Sequence, residues 1–305
     1  VNPNLQIKIG DLIFKNPILI ASGTGGFGKE ISNFYSLEIL GGFVTKSITL
    51  KPRLGNLPPR IWETPCGLLN SIGLENPGLE IFMIEELPFL EKINTNIIVS
   101  IAGESIEEYE ILVKELNNTN ISAIEVNVSC PNVNKGGIQF GLDKEILYEL
   151  IKRLIKITQK PLWIKLSPHT ERIDEIAKIL KKARVSAIVL FNTFLGLAID
   201  WKNRKPVFKN IFAGLSGPAI KPLVLRYIWE IFEKVKIPIV GCGGIICFED
   251  VLEYILAGAS LIEIGTANFI NPLICKEVIE KLENYFIEEK IQDLIGKAHK
   301  RKEEF

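Results

Sequence analysis

The chain has 305 residues, 47% of them hydrophobic, 9% aromatic and 24% charged, the profile of a globular protein with a large core. Thirty-six basic residues balance thirty-six acidic ones, so no net field recruits nucleic acid or an anionic membrane. The longest stretch without a charge, Val185 to Ile199, is 15 residues long and carries Ser186, Asn192 and Thr193, short of the about 20 apolar residues of a membrane-spanning helix.

The N-terminal segment VNPNLQIKIGDLIFKNP mixes charges into short apolar pieces, so no signal-peptide core is expected. The cysteines (Cys66, Cys130, Cys242, Cys247 and Cys275) are odd in number and widely spaced, and no C-x-x-C occurs. With only His169 and His299 beside them, no metal or iron–sulfur site is expected within the chain, and a cytoplasmic enzyme is the default.

In chain order, residues 5–15 read as two short strands around Gly10–Asp11, a hairpin. Eight short apolar, β-branched runs follow: Pro17–Ala21, Gly42–Thr45, Asn96–Ile101, Ala123–Val128, Pro161–Leu166, Ala187–Phe191, Pro238–Val240 and Leu261–Ile264. Helical periodicity follows most of them, in Ser105–Asn117, Lys144–Thr158, Glu171–Lys182, Ala219–Val235 and Phe248–Ala257. Alternating strand and helix implies a parallel sheet with right-handed crossovers, and eight such units in about 250 residues predict a (β/α)8 TIM barrel. Residues 48–95, after strand 2, and Asp200–Pro218, after strand 6, are long Pro- and Gly-bearing excursions that read as functional loops. The hairpin is expected to plug the bottom of the barrel, and the tail GKAHKRKEEF to be a solvated helix end. One domain is expected over residues 1–305.

The active site of such a barrel lies where its strands end. Ser22 stands there for strand 1, Lys46 and Ser47 for strand 2, Ser100 for strand 3, and Asn127 with Ser129–Cys130–Pro131–Asn132 for strand 4. Strand 5 delivers Lys165 and Ser167, strand 6 Asn192–Thr193, strand 7 the run Gly241–Cys242–Gly243–Gly244, and strand 8 Gly265–Thr266. No carboxylate pair and no histidine joins them, since His169 reads as a loop residue. That excludes glycosidase and triad-hydrolase chemistry and suits a bound cofactor. Glycine N–H groups after strands 7 and 8 can approach a phosphate closely, and FMN would fit the remainder, with Lys165 or Lys46 stabilising the reduced ring.

Gly23–Gly28 matches the dinucleotide fingerprint G-x-G-x-x-G, but the second strand ends in Thr45–Lys46–Ser47 without the acidic residue that motif needs. Cys130 is the sharpest candidate: a free thiol titrates near about 8.5, so modest electropositive surroundings make it a workable base. Cys66, Cys247 and Cys275 read as small hydrophobes, and Cys242 as part of the phosphate loop.

Across nearly its whole length the sequence resembles the class 1 dihydroorotate dehydrogenases. The segments that carry the resemblance are TKSIT (Thr45–Thr49), NSIGLENPG (Asn70–Gly78), EVNVSCPNV (Glu125–Val133), KLSP (Lys165–Pro168), Asn192–Thr193, AIDWKNRKP (Ala198–Pro206), GLSGPAIKP (Gly214–Pro222), GCGGI and IGTA. GGIQFGLD (Gly136–Asp143) looks like class 1B, whose catalytic subunit works with an iron–sulfur and FAD electron-transfer subunit and delivers electrons to NAD. The resemblance implies that Cys130 removes the C5 proton of dihydroorotate while the C6 hydride passes to FMN, giving orotate for pyrimidine (UMP) biosynthesis. It implies substrate contacts from Lys46, Asn70, Ser71, Ile72, Gly73, Leu74, Asn127, Asn192 and Thr193. FMN contacts are implied for Ser22, Lys46, Ser47, Ser100, Asn127, Lys165, Phe191, Gly217, Gly243, Gly244, Gly265 and Thr266. A catalytic homodimer within a heterotetramer is implied, its partner subunit holding FAD and a 2Fe–2S cluster.

Ser100 stands where the family usually has a flavin-contacting asparagine, and Phe191 where a smaller aliphatic residue is usual. The rival readings are a class 1A-like homodimer reducing fumarate, a flavin barrel acting on another dihydropyrimidine, and a non-enzymatic flavin- or phosphate-binding barrel.

Overall fold

A computed structural model of the chain describes residues 2–128, 137–170 and 172–304. Eight parallel strands close into a barrel: β1 (Ile18–Ile20), β2 (Gly42–Val44), β3 (Asn96–Ile101), β4 (Ala123–Asn127), β5 (Leu162–Lys165), β6 (Ala187–Leu190), β7 (Ile239–Cys242) and β8 (Leu261–Ile264). Each pairs with its sequence neighbours, and β8 returns to β1 with Glu263 opposite Leu19. These are the eight runs expected, trimmed or shifted by a residue or two at most. Every residue of β4 to β8 is buried, because helices cover the outside and side chains fill the inside, which is why the strands read as continuous apolar runs rather than alternating ones.

The covering helices are α1 (Ile106–Asn117), α2 (Lys144–Ile157), α3 (Ile173–Lys182), α4 (Lys221–Lys234), α5 (Phe248–Ala257) and α6 (Ile274–Tyr285). The Ser105 hydroxyl accepts from Glu108 N at 3.3 Å to start α1, and Asp143 Oδ1 accepts from Ile146 N at 2.9 Å to start α2. Helix α5 stops at Gly258, whose φ of +122° suits only glycine and whose missing Cβ would lie 2.3 Å from Phe232. The sequence reading does not anticipate α6, which buries Ile274, Val278 and Leu282 on one face.

The N-terminal hairpin pairs Ile7–Ile9 with Leu12–Phe14. Its buried Phe14 ring lies 5.9 Å from that of Trp163 on β5, closing the end of the barrel away from the strand C-termini.

The two long excursions after strands 2 and 6 meet: Ile61–Thr64 and Gly67–Asn70 from the first join Phe194–Leu197 and Phe212–Ser216 from the second in one antiparallel four-stranded sheet. Two expectations need correction. The second excursion begins at Phe194 rather than Asp200, because Phe194–Leu197 already pairs with Phe212–Leu215 in that sheet. The C-terminal tail is not simply solvated, since the His299 ring stacks on Trp229 with centroids 3.6 Å apart and bonds the Ala257 carbonyl at 3.0 Å. Among the described residues no helix is long and apolar enough to cross a membrane.

Candidate active site

A cavity of about 310 Å³ opens at the C-terminal ends of the barrel strands, walled on one side by the antiparallel sheet through Ile61, Leu68, Asn70 and Ser216. The strand ends deliver Ser22, Lys46, Ser47, Asn127, Lys165, Phe191, Asn192, Thr193, Gly243, Gly244, Gly265 and Thr266 to its wall. The excursions add Asn70, Ile72, Gly73, Leu74 and Gly217. Two sequence-predicted residues lie off the wall. Ser71 is buried behind it, where its hydroxyl accepts from Asn56 Nδ2 at 3.0 Å. Ser100 is fully buried with its Oγ 2.8 Å from Ser47 Oγ, so it reaches the cavity only through that hydroxyl. Cys130 lies outside the described residues.

Hydrogen bonds hold the polar wall in place. Asn127 Nδ2 donates to Ser47 Oγ at 3.2 Å, and Asn192 Nδ2 reaches Asn127 Oδ1 at 3.4 Å. Asn70 Nδ2 donates to the Gly214 carbonyl at 3.1 Å, while Asn192 Oδ1 accepts from Thr193 N at 2.8 Å. The buried Tyr109 hydroxyl on α1 donates to the Asn127 carbonyl at 2.9 Å, anchoring the backbone where it leaves β4. His169 contributes structurally: its Nε2 accepts from Leu195 N at 2.9 Å, and burial holds its pKa below the usual imidazole value.

The opposite end of the cavity is a backbone cradle. Gly217, Gly243 and Gly244 have φ of +97°, +139° and +75°, and a Cβ at Gly244 would lie 2.8 Å from the Lys221 backbone nitrogen. Among the described residues the N–H groups of Gly243, Gly244, Gly265 and Thr266 find no acceptor. Unpaired backbone donors at closely packed glycines on a cavity wall are what a phosphate monoester needs. The Thr266 hydroxyl donates to Ser216 Oγ at 2.8 Å, tying this cradle to the antiparallel sheet. The residues present therefore fit a phosphate-bearing planar cofactor: a glycine cradle at one end, amides and hydroxyls at the other, and a lysine below.

That lysine is not isolated. Lys165 Nζ lies 2.6 Å from Glu263 Oε2 and 3.7 Å from Glu125 Oε2, and both carboxylates are completely buried inside the barrel. Burial works against the Lys165 ammonium, but the facing Cys242, Glu125 and Glu263 groups outweigh it and hold its pKa above the usual lysine value. Burial also pushes the Cys242 thiol up. The other cavity lysine, Lys46, sits 3.6 Å from Glu75 Oε2, which also pairs with Arg60 at 2.9 Å. Sequence reasoning passed over Glu75, Glu125 and Glu263. The signal for the two buried acids was a charge inside an otherwise apolar strand, in AIEVN and LIEI.

The dihydroorotate dehydrogenase family matches residues 4–286. The protein named dihydroorotate dehydrogenase B (NAD(+)), catalytic subunit, of Thermodesulfovibrio yellowstonii is 50% identical over 293 residues, 96% of this chain and 97% of that one. The protein of the same name from Petrotoga mobilis is 49% identical over 289 residues, 95% of this chain and 96% of that one. Among solved structures, that of DHODH in complex with ferulenol from Eimeria tenella superposes with a TM-score of 0.81 at 23% identity, covering 97% of this chain and 89% of that one, a likeness of fold.

Proposed function

The chain belongs to the dihydroorotate dehydrogenase family, and from that premise and the geometry of the cavity we propose that it is the catalytic subunit of a B-type enzyme. It oxidises dihydroorotate to orotate in pyrimidine biosynthesis, as one FMN-binding barrel domain over residues 1–305. The carrying observation is that Asn70, Asn127, Asn192 and Thr193 meet on one wall of a cavity that ends in a glycine cradle and has a buried lysine beneath it.

Gly243, Gly244, Gly265 and Thr266 would hold the phosphate of FMN, with Ser22, Ser47, Lys165, Phe191 and Gly217 along the rest of it. When bound, FMN supplies the acceptor for the hydride leaving C6 of the substrate. The protein's own work is binding, orientation and proton removal. Side-chain amides offer paired donors and acceptors to a ring that displays both, and a wrong ligand leaves those buried groups unpaired. Lys46 joins them, with Ile72, Gly73 and Leu74 packing against the substrate. Cys130, three residues beyond Asn127, takes the C5 proton as general base. The Tyr109 anchor on the Asn127 carbonyl supports this role by fixing the point from which the Cys130 segment departs.

Electrons leave through a separate electron-transfer subunit carrying FAD and a 2Fe–2S cluster, with NAD as final acceptor, in a cytoplasmic heterotetramer built on a homodimer of this chain. Exposed Leu197, Ile199, Trp201 and Phe212 on and beside the antiparallel sheet support protein contacts there, Trp201 being 76% exposed. The test is to purify the chain, record its visible spectrum and add dihydroorotate without oxygen. Bleaching of a flavin band with one equivalent of orotate is expected. A colourless protein that FMN cannot reconstitute would overturn the cofactor reading, and a band bleached by dihydrouracil but not dihydroorotate would overturn the substrate. Turnover of the isolated chain with fumarate would replace the B-type assignment.

A further inference from the structure

Two carboxylates and one ammonium are enclosed in the barrel directly beneath the cavity. Glu125 on β4, Lys165 on β5 and Glu263 on β8 are buried, and Lys165 Nζ is within 4 Å of both acids. One lysine balances one carboxylate, and a second bare carboxylate in such a place is costly. The hydrogen bonding carries the same mismatch. Among the described residues Glu125 Oε1 and Oε2 and Glu263 Oε1 have no donor in good hydrogen-bonding geometry. The Ser100 hydroxyl lies near Glu125, and the two carboxyls are close enough to bond each other once one is protonated. A proton on Glu125 shared with Glu263 removes the excess charge and gives two of those three oxygens a partner, as two like carboxyls sharing a site commonly do.

We propose that Glu125, Lys165 and Glu263 act as one proton-holding unit that sets the net charge under the cofactor, and so makes the preference for reduced over oxidised FMN depend on pH. The inference rests on the FMN reading above. With the proton in place the unit is neutral, so Lys165 does not present a free positive charge to the cavity. When the proton leaves, the unit becomes negative, and reduced FMN, which carries more negative charge than oxidised FMN, is held less well. Burial first, and the Glu263 carboxylate second, push the Glu125 carboxyl up to about 8 against the pull of Lys165, which puts the change near neutrality. The other groups facing the unit do not supply that proton. Cys242 on β7 keeps its thiol protonated by burial, and the neutral Ser100 hydroxyl on β3, bonding Glu125, favours its carboxylate without outweighing burial and Glu263. Trp163 on β5 offers only a buried indole N–H. Glu125 and Glu263 are positioning residues, acting on the cofactor through Lys165.

Two measurements on the purified holoprotein decide it. Infrared titration should show a carboxylic-acid band that disappears as pH rises through about 8 and is absent in Glu125→Gln, whose amide mimics the protonated form. The midpoint potential of bound FMN should fall more steeply with pH in the wild type than in Glu125→Gln between about pH 7 and about pH 9. The expected excess is about tenfold in the ratio of reduced to oxidised affinity, or about 30 mV for a two-electron couple. Glu125→Gln/Glu263→Gln should leave Lys165 uncompensated and raise the potential. If the variants fail to fold, the infrared titration of the unaltered protein still decides the protonation. Absence of the band, or identical potential–pH slopes, would overturn the proposal. A protein carrying no FMN would sink the cofactor reading, while the infrared band would separately decide whether the proton is held.

Discussion

Asn192 at the end of β6 and Asn127 at the end of β4 meet side chain to side chain at 3.4 Å, although 65 residues separate them in the chain. The contact joins two strand ends across the mouth of the barrel, and Ser47 extends it to β2 through its bond to Asn127. Both amides line the cavity and carry the donor and acceptor that the proposed substrate contacts require. On the proposed reading, replacing either removes one substrate contact and the bond between the two amides. Asn127→Ala or Asn192→Ala is expected to lower kcat/KM by about tenfold to a hundredfold, each tenfold being about 1.4 kcal/mol. Steady-state kinetics at unchanged flavin content checks this, and wild-type kinetics in either variant would exclude it from the substrate site.

Cys130→Ala is expected to retain FMN and to bind orotate, because neither the glycine cradle nor the amide wall is touched. Flavin reduction by dihydroorotate should slow by about a hundredfold or more, the usual contribution of a positioned general base. Anaerobic stopped-flow measurement of flavin bleaching reads this directly. Reduction at the wild-type rate would exclude the thiol as base.

The cradle gives a different phenotype. In Gly244→Ala the new methyl meets the Lys221 backbone nitrogen at 2.8 Å from a residue held at φ +75°, a conformation that alanine adopts only with strain. The barrel should still form while the flavin-to-protein ratio after purification drops. A full complement of flavin would show that the phosphate lies elsewhere.

Acid stability should report Asp250 on α5. Burial works against its charge, but Lys221 and the N–H groups of Ile246 and Cys247 outweigh it and leave its pKa below the usual aspartate value. A carboxylate depressed on folding stabilises above its unfolded pKa, and that stabilisation is lost as pH falls through the folded value. Asp250→Asn should therefore cost about 1 kcal/mol at neutral pH. The gap in Tm between wild type and variant should close as pH drops below about 4. A gap independent of pH would mean that the loss is one of packing rather than charge.

The tail offers a control remote from the cavity. His299 stacks on Trp229 and lies 4.9 Å from Phe232, covering the seam where α4 meets α5. His299→Ala is expected to destabilise by about 1–2 kcal/mol with flavin content and kcat unchanged. Thermal denaturation beside a flavin assay checks both halves.

The barrel was legible in the sequence because its signals are local. A parallel strand buried on both faces announces itself as a short apolar run, and an amphipathic helix as a 3.6-residue period. The candidate wall was legible for the same reason, since residues following a barrel strand reach the rim whatever the remaining packing. Cys130 was legible as a motif and lies outside the described residues.

What only the tertiary structure decided is what depends on register and closure. Ile61–Asn70 and Phe194–Ser216 look like two unrelated excursions until Gly214 is set opposite Asn70. The sheet they form depends on pairings across more than a hundred residues, which no local pattern encodes. Glu125 and Glu263 likewise read as isolated charges in apolar runs, and Lys165 as a cofactor lysine with no partner named. Closing the barrel brings both acids within 4 Å of Lys165 Nζ, and their enclosure makes two acids and one lysine a single electrostatic unit, because a charge without water must find its counter-charge or its proton within a few ångströms.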